Sequence, residues 1–529
     1  MTPREQDPAA PDEAPAVDEE RPAVDEQPAV EEASEPTAER AWRRRARATL
    51  APAARVALVG GAVAALVAAA GATSREVSLA ASPAASGSTA RAVAATDALL
   101  TCPGAPLSGT SGVASQSLPS SYLARSAPQR VIEAIVTPND DAGDIEIAAP
   151  GVTRPIATSS TDVARGASPA GGVQVRAKGA RAAGLIASQQ SVATSETVRG
   201  LAVIPCAAPT TESWIVVGGD APGRQERLVL TNPGENPVQV RLTAYRGDGT
   251  RERVGGEDTV IPPNERRNVL LDGLVGTDGV QVVRVQAEGA AVGVSAVDTW
   301  LDGVTPRGMA YAAPTAAPSR EAVITGVPKG AAMRLVLAAP GEEDAVVTVR
   351  ALVDGEPRQV NVATVTRGSS ATVPIKNTAG ARGFLIESDV PVLASLESTV
   401  TEAGGDLAWS PATPPITDLA GLATSPSIEG TAVTRTLTIA ATGKPATVEV
   451  TTVADGEPQT RSVEVPADQA AEVALDQAEG VWVRPVRGDG VHAAVVLSGR
   501  GSGGRALAEV VPLVPARAAV QEVELAPVP

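Results

Sequence analysis

Beyond residue 96 apolar and polar positions alternate in short runs broken by Gly, Pro, Asn and Asp. Arg227–Thr231 (RLVLT), Val238–Thr243 (VQVRLT), Gln281–Val285 (QVVRV) and Thr447–Thr451 (TVEVT) are examples. A period of two puts successive side chains on opposite faces, so each run predicts a β-strand with one face to bury. One stretch departs from this pattern. Val56–Ala72 (VALVGGAVAALVAAAGA) is seventeen residues without a charge. As a helix it spans about 25 Å, slightly less than the roughly 30 Å hydrocarbon core of a bilayer. Weakly apolar Ala48–Ala54 and a snorkelling Arg55 make up the difference.

The flanks of this segment set its expected orientation. Arg43, Arg44, Arg45, Arg47 and Arg55 precede it and only Arg75 follows closely. The positive-inside rule therefore places the N-terminus in the cytoplasm and the long C-terminal part outside. Two other readings compete with this membrane-embedded anchor. Ala70-Gly71-Ala72 has the A-x-A form of a signal-peptide cleavage site, and an alanine-rich run can also be a buried helix of a soluble protein.

The strand runs repeat. Arg227-Leu-Val-Leu230 before Asn232-Pro-Gly234 recurs as Arg334-Leu-Val-Leu337 before Ala339-Pro-Gly341, and more weakly as Arg435-Thr-Leu-Thr438 before Gly443. A turn two strands later recurs in step, at Asp248-Gly249, Asp354-Gly355 and Asp455-Gly456. Gly279-Val-Gln-Val282 with Gly293–Val297 matches Gly172-Val-Gln-Val175 with Gly184–Ser188 in an earlier, degenerate copy. Later counterparts are Gly383–Glu387 with Val392–Leu396, and Gly480–Val483 with His492–Leu497. Junctions align Cys206-Ala-Ala-Pro209-Thr with Tyr311-Ala-Ala-Pro314-Thr.

Four units of about 100 residues follow, each with room for about seven strands. The expected fold is mostly β: tandem immunoglobulin-like or fibronectin-like sandwiches behind one transmembrane helix and a disordered N-terminal tail. The competing architecture is an eight-bladed β-propeller with two blades per repeat, in which the first and last units would touch. The predicted segments are an acidic tail with an Arg-rich end (1–47), the membrane helix (48–72) and a spacer (73–96). The β repeats then occupy 97–209, 210–316, 317–418 and 419–529, the last including a C-terminal tail.

Charge sharpens the picture. The 529-residue chain carries a net −17, of which residues 1–40 contribute −10 and residues 41–55 contribute +5. The remaining −12 is spread over the region beyond the anchor, which argues against a nucleic-acid partner because phosphate binding needs a basic face. Residues 1–40 hold Pro, Glu and Ala with almost no large apolar side chain, including P-A-V-D-E at Pro15 and Pro22 and P-A-V-E-E at Pro28. Such a tract cannot offset its ordering entropy by burial. The two cysteines, Cys102 and Cys206, both lie beyond the anchor and are most simply one disulfide of an oxidising compartment.

The chemistry of catalysis is hard to assemble. His492 is the single imidazole, and its run VHAAVVL reads as a strand. Gly166-Ala-Ser168-Pro-Ala170 lacks the second Gly of a nucleophile elbow. Gly499-Arg-Gly-Ser-Gly-Gly504 satisfies G-x-G-x-x-G without a following helix pattern and reads as a hairpin loop. Asp140, Asp141, Asp144 and Glu146 lack calcium-loop spacing and read as a solvated loop. Trp214, Trp300, Trp409 and Trp482 are dispersed and read as core or junction residues of their own repeats. No catalytic, cofactor-binding or metal-ligating set is therefore assigned, and no cofactor is expected.

The whole layout resembles a family of actinobacterial membrane-anchored secreted proteins catalogued only as a domain of unknown function. The resemblance rests on the acidic tail, the Arg-rich flank, the single span, Cys102-Pro-Gly, Cys206 before Trp214, and the Val-x-Gly-Gly run through Val217. It implies no activity, only a setting in cell-envelope glycan assembly. The expectation is a non-enzymatic, single-pass, extracytoplasmic scaffold or accessory of envelope assembly whose partner is an envelope membrane protein. The alternatives are direct binding of cell-wall glycan, and a hydrolase with an unrecognised carboxylate site.

Overall fold

Val238–Tyr245 shows how the sequence period becomes structure. Val238, Val240, Leu242 and Ala244 are buried, while Gln239, Arg241 and Thr243 turn away from the core. The computed structural model describes residues 90–523. It leaves out 110–115, 117, 119, 150–151, 153, 169–170, 220, 250, 254–258, 272–281, 377 and 401–403. The predicted tail and membrane segment lie outside the described residues, and among the described residues no helix is long and apolar enough to cross a membrane.

The described residues form four β-sandwiches, over Asp97–Cys206, Glu212–Ala312, Ser319–Pro411 and Ala420–Pro512 in chain order. Each has eight strand positions, one more than the sequence suggested. One sheet runs in the strand order 1-6-3-4 and the other 5-2-7-8, all antiparallel, in every unit. In unit two the fourth position is divided between Arg251–Arg253 and Thr259–Ile261, both paired with the third strand. In unit three the sixth and seventh strands are one, Gly383–Val400, which passes from the first sheet to the second. The repeating Arg-Leu-Val-Leu runs are second strands, and the Asp-Gly turns join third to fourth strands.

The cores fill the space between the two sheets of each unit. Unit three, for example, packs Leu335 and Leu337 against Val347, Val349, Phe384 and Ile386. In unit one Cys102 and Cys206 form a disulfide across a separation of 104 residues. A closed loop of that length stabilises by about 4–5 kcal/mol in the chain-entropy account.

These sandwiches do not form an open string. Their eighth strands, Arg199–Cys206, Thr305–Ala312, Asp406–Pro411 and Ala506–Pro512, lie against one another in succession, and the fourth lies against the first. The four units thus close into a ring around a pseudo-four-fold axis. Contact between the first and last units, which a propeller would also require, here belongs to a ring of sandwiches.

The closing seam joins units one and four. Leu123, Val131 and Ile132, the last two on the short helix Gln129–Glu133, pack with Leu419, Val453 and Trp482. The Trp482 indole N–H donates to the Gly184 carbonyl (2.9 Å), and Arg125 pairs with Glu479 (2.9 Å). Ala90–Ala94 pairs with Ala519–Val523, so the described ends of the chain are held together.

Candidate ligand-binding funnel on the ring axis

An eighth strand is the edge of its sheet, and its outer N–H groups need partners. Four such edges meet on the axis. The carboxylate of Asp406, on the third of them, accepts N–H bonds from Leu201 (3.2 Å) in the strand across the axis, from Ala508 (3.1 Å) in a flanking strand and from Leu407 (2.9 Å) in its own. The Met309 N–H completes the set, one donor from each unit. Two residues along each strand, Glu509 accepts N–H bonds from Val203 (3.2 Å), Val510 (3.1 Å) and Tyr311. The repeat of two is that of a strand, whose alternate amides face one side.

Space around the carboxylates is provided by small residues at equivalent positions. Gly200 and Gly308 stand where unit three has Asp406, and Ala202, Ala310 and Ala408 stand where unit four has Glu509. A Cβ on Gly200 would lie 2.6 Å from the Asp406 Oδ1. Burial raises both carboxyl groups well above the usual carboxylate range, against the pull of the backbone N–H groups, and Asp406 raises Glu509 further. Both are wholly enclosed, so they seal the ring and present nothing to a solute.

At the next level along the strands the equivalent residues are Pro205, Ala313, Pro411 and Pro512. Proline has no N–H, so three of the four edges end without a donor there. Above this level the strands diverge around a cavity of about 480 Å³. Ile204, Pro205, Ala313, Pro512 and Leu513 form its buried floor, and exposed Ala208, Glu212, Ala317, Pro414 and Pro515 form its rim. The segments leaving all four eighth strands contribute to it, each first bridging back to the first strand of its unit: Ala207 to Thr101, Thr315 to Trp214, Thr413 to Val323 and Val514 to Gly421. This pairing makes Ala207 and Thr315 equivalent, so the Ala-Ala-Pro junctions matched in sequence are three residues out of structural register. Small residues and prolines recur in every linker, and that composition allowed the false match.

Trp214 stands in the funnel wall and also borders a second cavity of about 480 Å³ between units two and three. Its ring lies 5.5 Å from that of Tyr245, and the Arg284 guanidinium sits 5.3 Å from its centroid. Arg284 in turn pairs with Glu212 at the funnel rim (3.0 Å).

Elsewhere the structure distributes the sequence candidates. Trp300 and Trp409 flank Arg224, 5.8 and 5.7 Å from their ring centroids. Arg224 is buried among Asp298, Glu226 and Glu397, and the Trp409 indole N–H donates to Asp298 (2.8 Å). Burial alone would push the Arg224 guanidinium down, but Asp298, then Glu397 and Glu226, outweigh it and hold it above its ordinary range. The His492 Nδ1–H, on a seventh strand, donates to the Thr413 carbonyl (2.9 Å), and burial lowers its pKa to about 4. Ser168 ends the strand Val163–Ser168. Gly499–Gly501 ends a seventh strand that turns through Ser502–Gly504 into the eighth. Glu146 lies on the strand Ile145–Ala148, and among the described residues no group of acidic, Cys or His side chains is placed to hold a metal ion.

The profile of a family of unknown function (DUF5719) matches residues 157–476. The chain belongs to this family. The family's match runs from the fourth strand of unit one into unit four and so takes in all four eighth strands but the last. No curated protein matches the chain. Among solved structures it is similar to a tetra-tandem repeat in the extending region of a large adhesion protein, at 14% identity over 72% of this chain and 92% of that one (TM-score 0.10). It is also similar to native E. coli alpha-2-macroglobulin, at 10% identity over 75% of this chain and 28% of that one (TM-score 0.09). Likenesses of this size carry no argument about function.

Asp406 and Glu509 escaped the sequence reading. Aligned on their eighth strands, the repeats carry a signal for both: Asp406 stands where the sister units have Gly200, Gly308 and Leu507, and Glu509 where they all have alanine.

Proposed function

We propose that this is a non-enzymatic binding protein of the cell envelope, carried on the membrane by residues 48–72 with its N-terminus in the cytoplasm, and that it holds its partner at the axial funnel. The observation that carries the reading is convergence. All four units contribute to one concave, largely apolar cavity, whose volume lies within the few hundred to about 1,000 Å³ usual for binding sites. A ring whose edges are sealed and whose described ends are paired supplies a rigid frame for it. An envelope membrane protein is the partner we favour, which makes the protein an accessory of envelope assembly.

The test is site-specific photo-cross-linking of the full-length protein in intact cells, with the photoreactive residue at Ala317 or Pro414 on the rim. A discrete adduct with a membrane protein supports the reading. Recovery with wall glycan alone transfers it to direct glycan binding. Adducts no more frequent than from exposed Val362, away from the funnel, would overturn it.

A further inference from the structure

The chemistry of the funnel wall narrows its occupant, on the reading that the funnel is the binding site. Many of the backbone amides around it are already committed. Thr101 and Ala207 exchange N–H bonds, Thr315 donates to Trp214, Ala316 to Ala412, and Leu513 to Ala493. Pro103, Pro205, Pro314, Pro414, Pro512 and Pro515 have no N–H to offer. Four of the hydroxyls are bonded within the protein as well. Thr101 Oγ1 donates to the Ala207 carbonyl (3.2 Å), Thr315 Oγ1 to those of Ala394 (3.0 Å) and Ala412 (3.2 Å), and Thr210 and Ser213 bond each other (2.7 Å).

An inserted peptide would bring an N–H and a C=O with every residue and strip them of water against a wall most of whose polar groups are already bonded. Unsatisfied groups of that kind are costly. A sugar would leave its hydroxyls in the same position. A hydrocarbon chain has nothing to satisfy and gains from the apolar lining. At the rim, Glu212 and Arg284 form a half-exposed ion pair where a polar end can stay hydrated.

We infer that the funnel takes one aliphatic chain, of the fatty-acyl or isoprenoid kind, with its polar head beside the Glu212–Arg284 pair. The ring then serves as a lipid-chain holder outside the membrane, and the partner proposed above is engaged with the chain in place.

The experiment uses full-length protein exchanged into amphipol and titrated with dibrominated stearate, whose bromines quench an indole on contact. Trp214 is the tryptophan of the funnel wall. Saturable quenching that disappears in Trp214→Phe, and whose midpoint rises at least tenfold in Ala316→Phe with an unchanged melting curve, establishes the site. If Ala316→Phe fails to fold, Ala317→Phe on the exposed rim replaces it. Absence of saturable quenching, or quenching indifferent to both the Trp214 and the funnel-filling variants, overturns the inference. Rim cross-links to a protein without chain binding would leave the binding reading intact and remove this one. Failure of both experiments removes both.

Discussion

The carboxylate of Asp406 accepts a hydrogen bond from the backbone N–H of Leu201, 205 residues earlier in the chain (3.2 Å). With Ala508 and Met309 it receives donors from every other unit, so one side chain ties four sheet edges together. Asp406→Ala leaves those amides buried without acceptors, at about 1–3 kcal/mol each. The expected loss is about 4 kcal/mol in urea unfolding followed by tryptophan fluorescence. Asp406→Asn recovers less than half of it, because its amide group turns donors toward donors. A stability within about 1 kcal/mol of wild type for Asp406→Ala would remove the keystone role.

Gly308 tests the same junction from the side of space. A Cβ there would lie 2.6 Å from the Leu407 Cβ and against the Leu407 backbone, whereas one at Gly303 meets nothing within 4 Å. Gly308→Ala should cost about 2–3 kcal/mol by overpacking, and Gly303→Ala about 1 kcal/mol for its left-handed backbone. Equal losses in parallel denaturant titrations would show that the axis relaxes freely.

Arg224 is the buried charge that faces Asp298, Glu226 and Glu397 between units two and three, with Arg334 sharing Glu397. Arg224→Met should destabilise by about 3–5 kcal/mol, since it leaves buried carboxylates without their cation. Arg224→Lys should not rescue this, because an ammonium cannot reproduce the two-pronged contact with Asp298. Rescue by lysine, read as thermal stability, would contradict that geometry.

His492 predicts a pH dependence. Its folded pKa of about 4 lies below the 6.5 of a free imidazole, because burial disfavours the charged ring. Above pH 6.5 neither state is protonated and the residue imposes no penalty. As pH falls from 6.5 toward 4 the unfolded chain gains a proton that the folded one refuses, removing up to about 3 kcal/mol. His492→Gln should flatten that part of the stability profile relative to wild type. Identical wild-type and variant slopes between pH 4 and 6.5 would refute the assignment.

Much of the fold was legible because sandwiches write themselves locally. Alternation at Val238–Tyr245 and the Asp-Gly turns at Asp354 and Asp455 are consequences of strand geometry and turn chemistry that act within a few residues. The continuous strand Gly383–Val400 was less plain, since Gly383–Glu387 and Val392–Leu396 read as two elements until one strand was seen to serve both sheets. The funnel was hidden further, because its wall comes from linkers whose small residues and prolines carry no periodic signal.

The amino-acid sequence alone determined the all-β class, the number of repeats and many of the strands within them, for each depends on neighbours in the chain. It also determined that Cys102 and Cys206 are each other's available partners. Only the tertiary structure decided that the four sandwiches close into a ring, that Asp406 and Glu509 saturate its axis, and that a funnel opens above the prolines. Those outcomes depend on backbone edges hundreds of residues apart finding acceptors together, and a bare N–H group leaves no mark in the sequence that contains it.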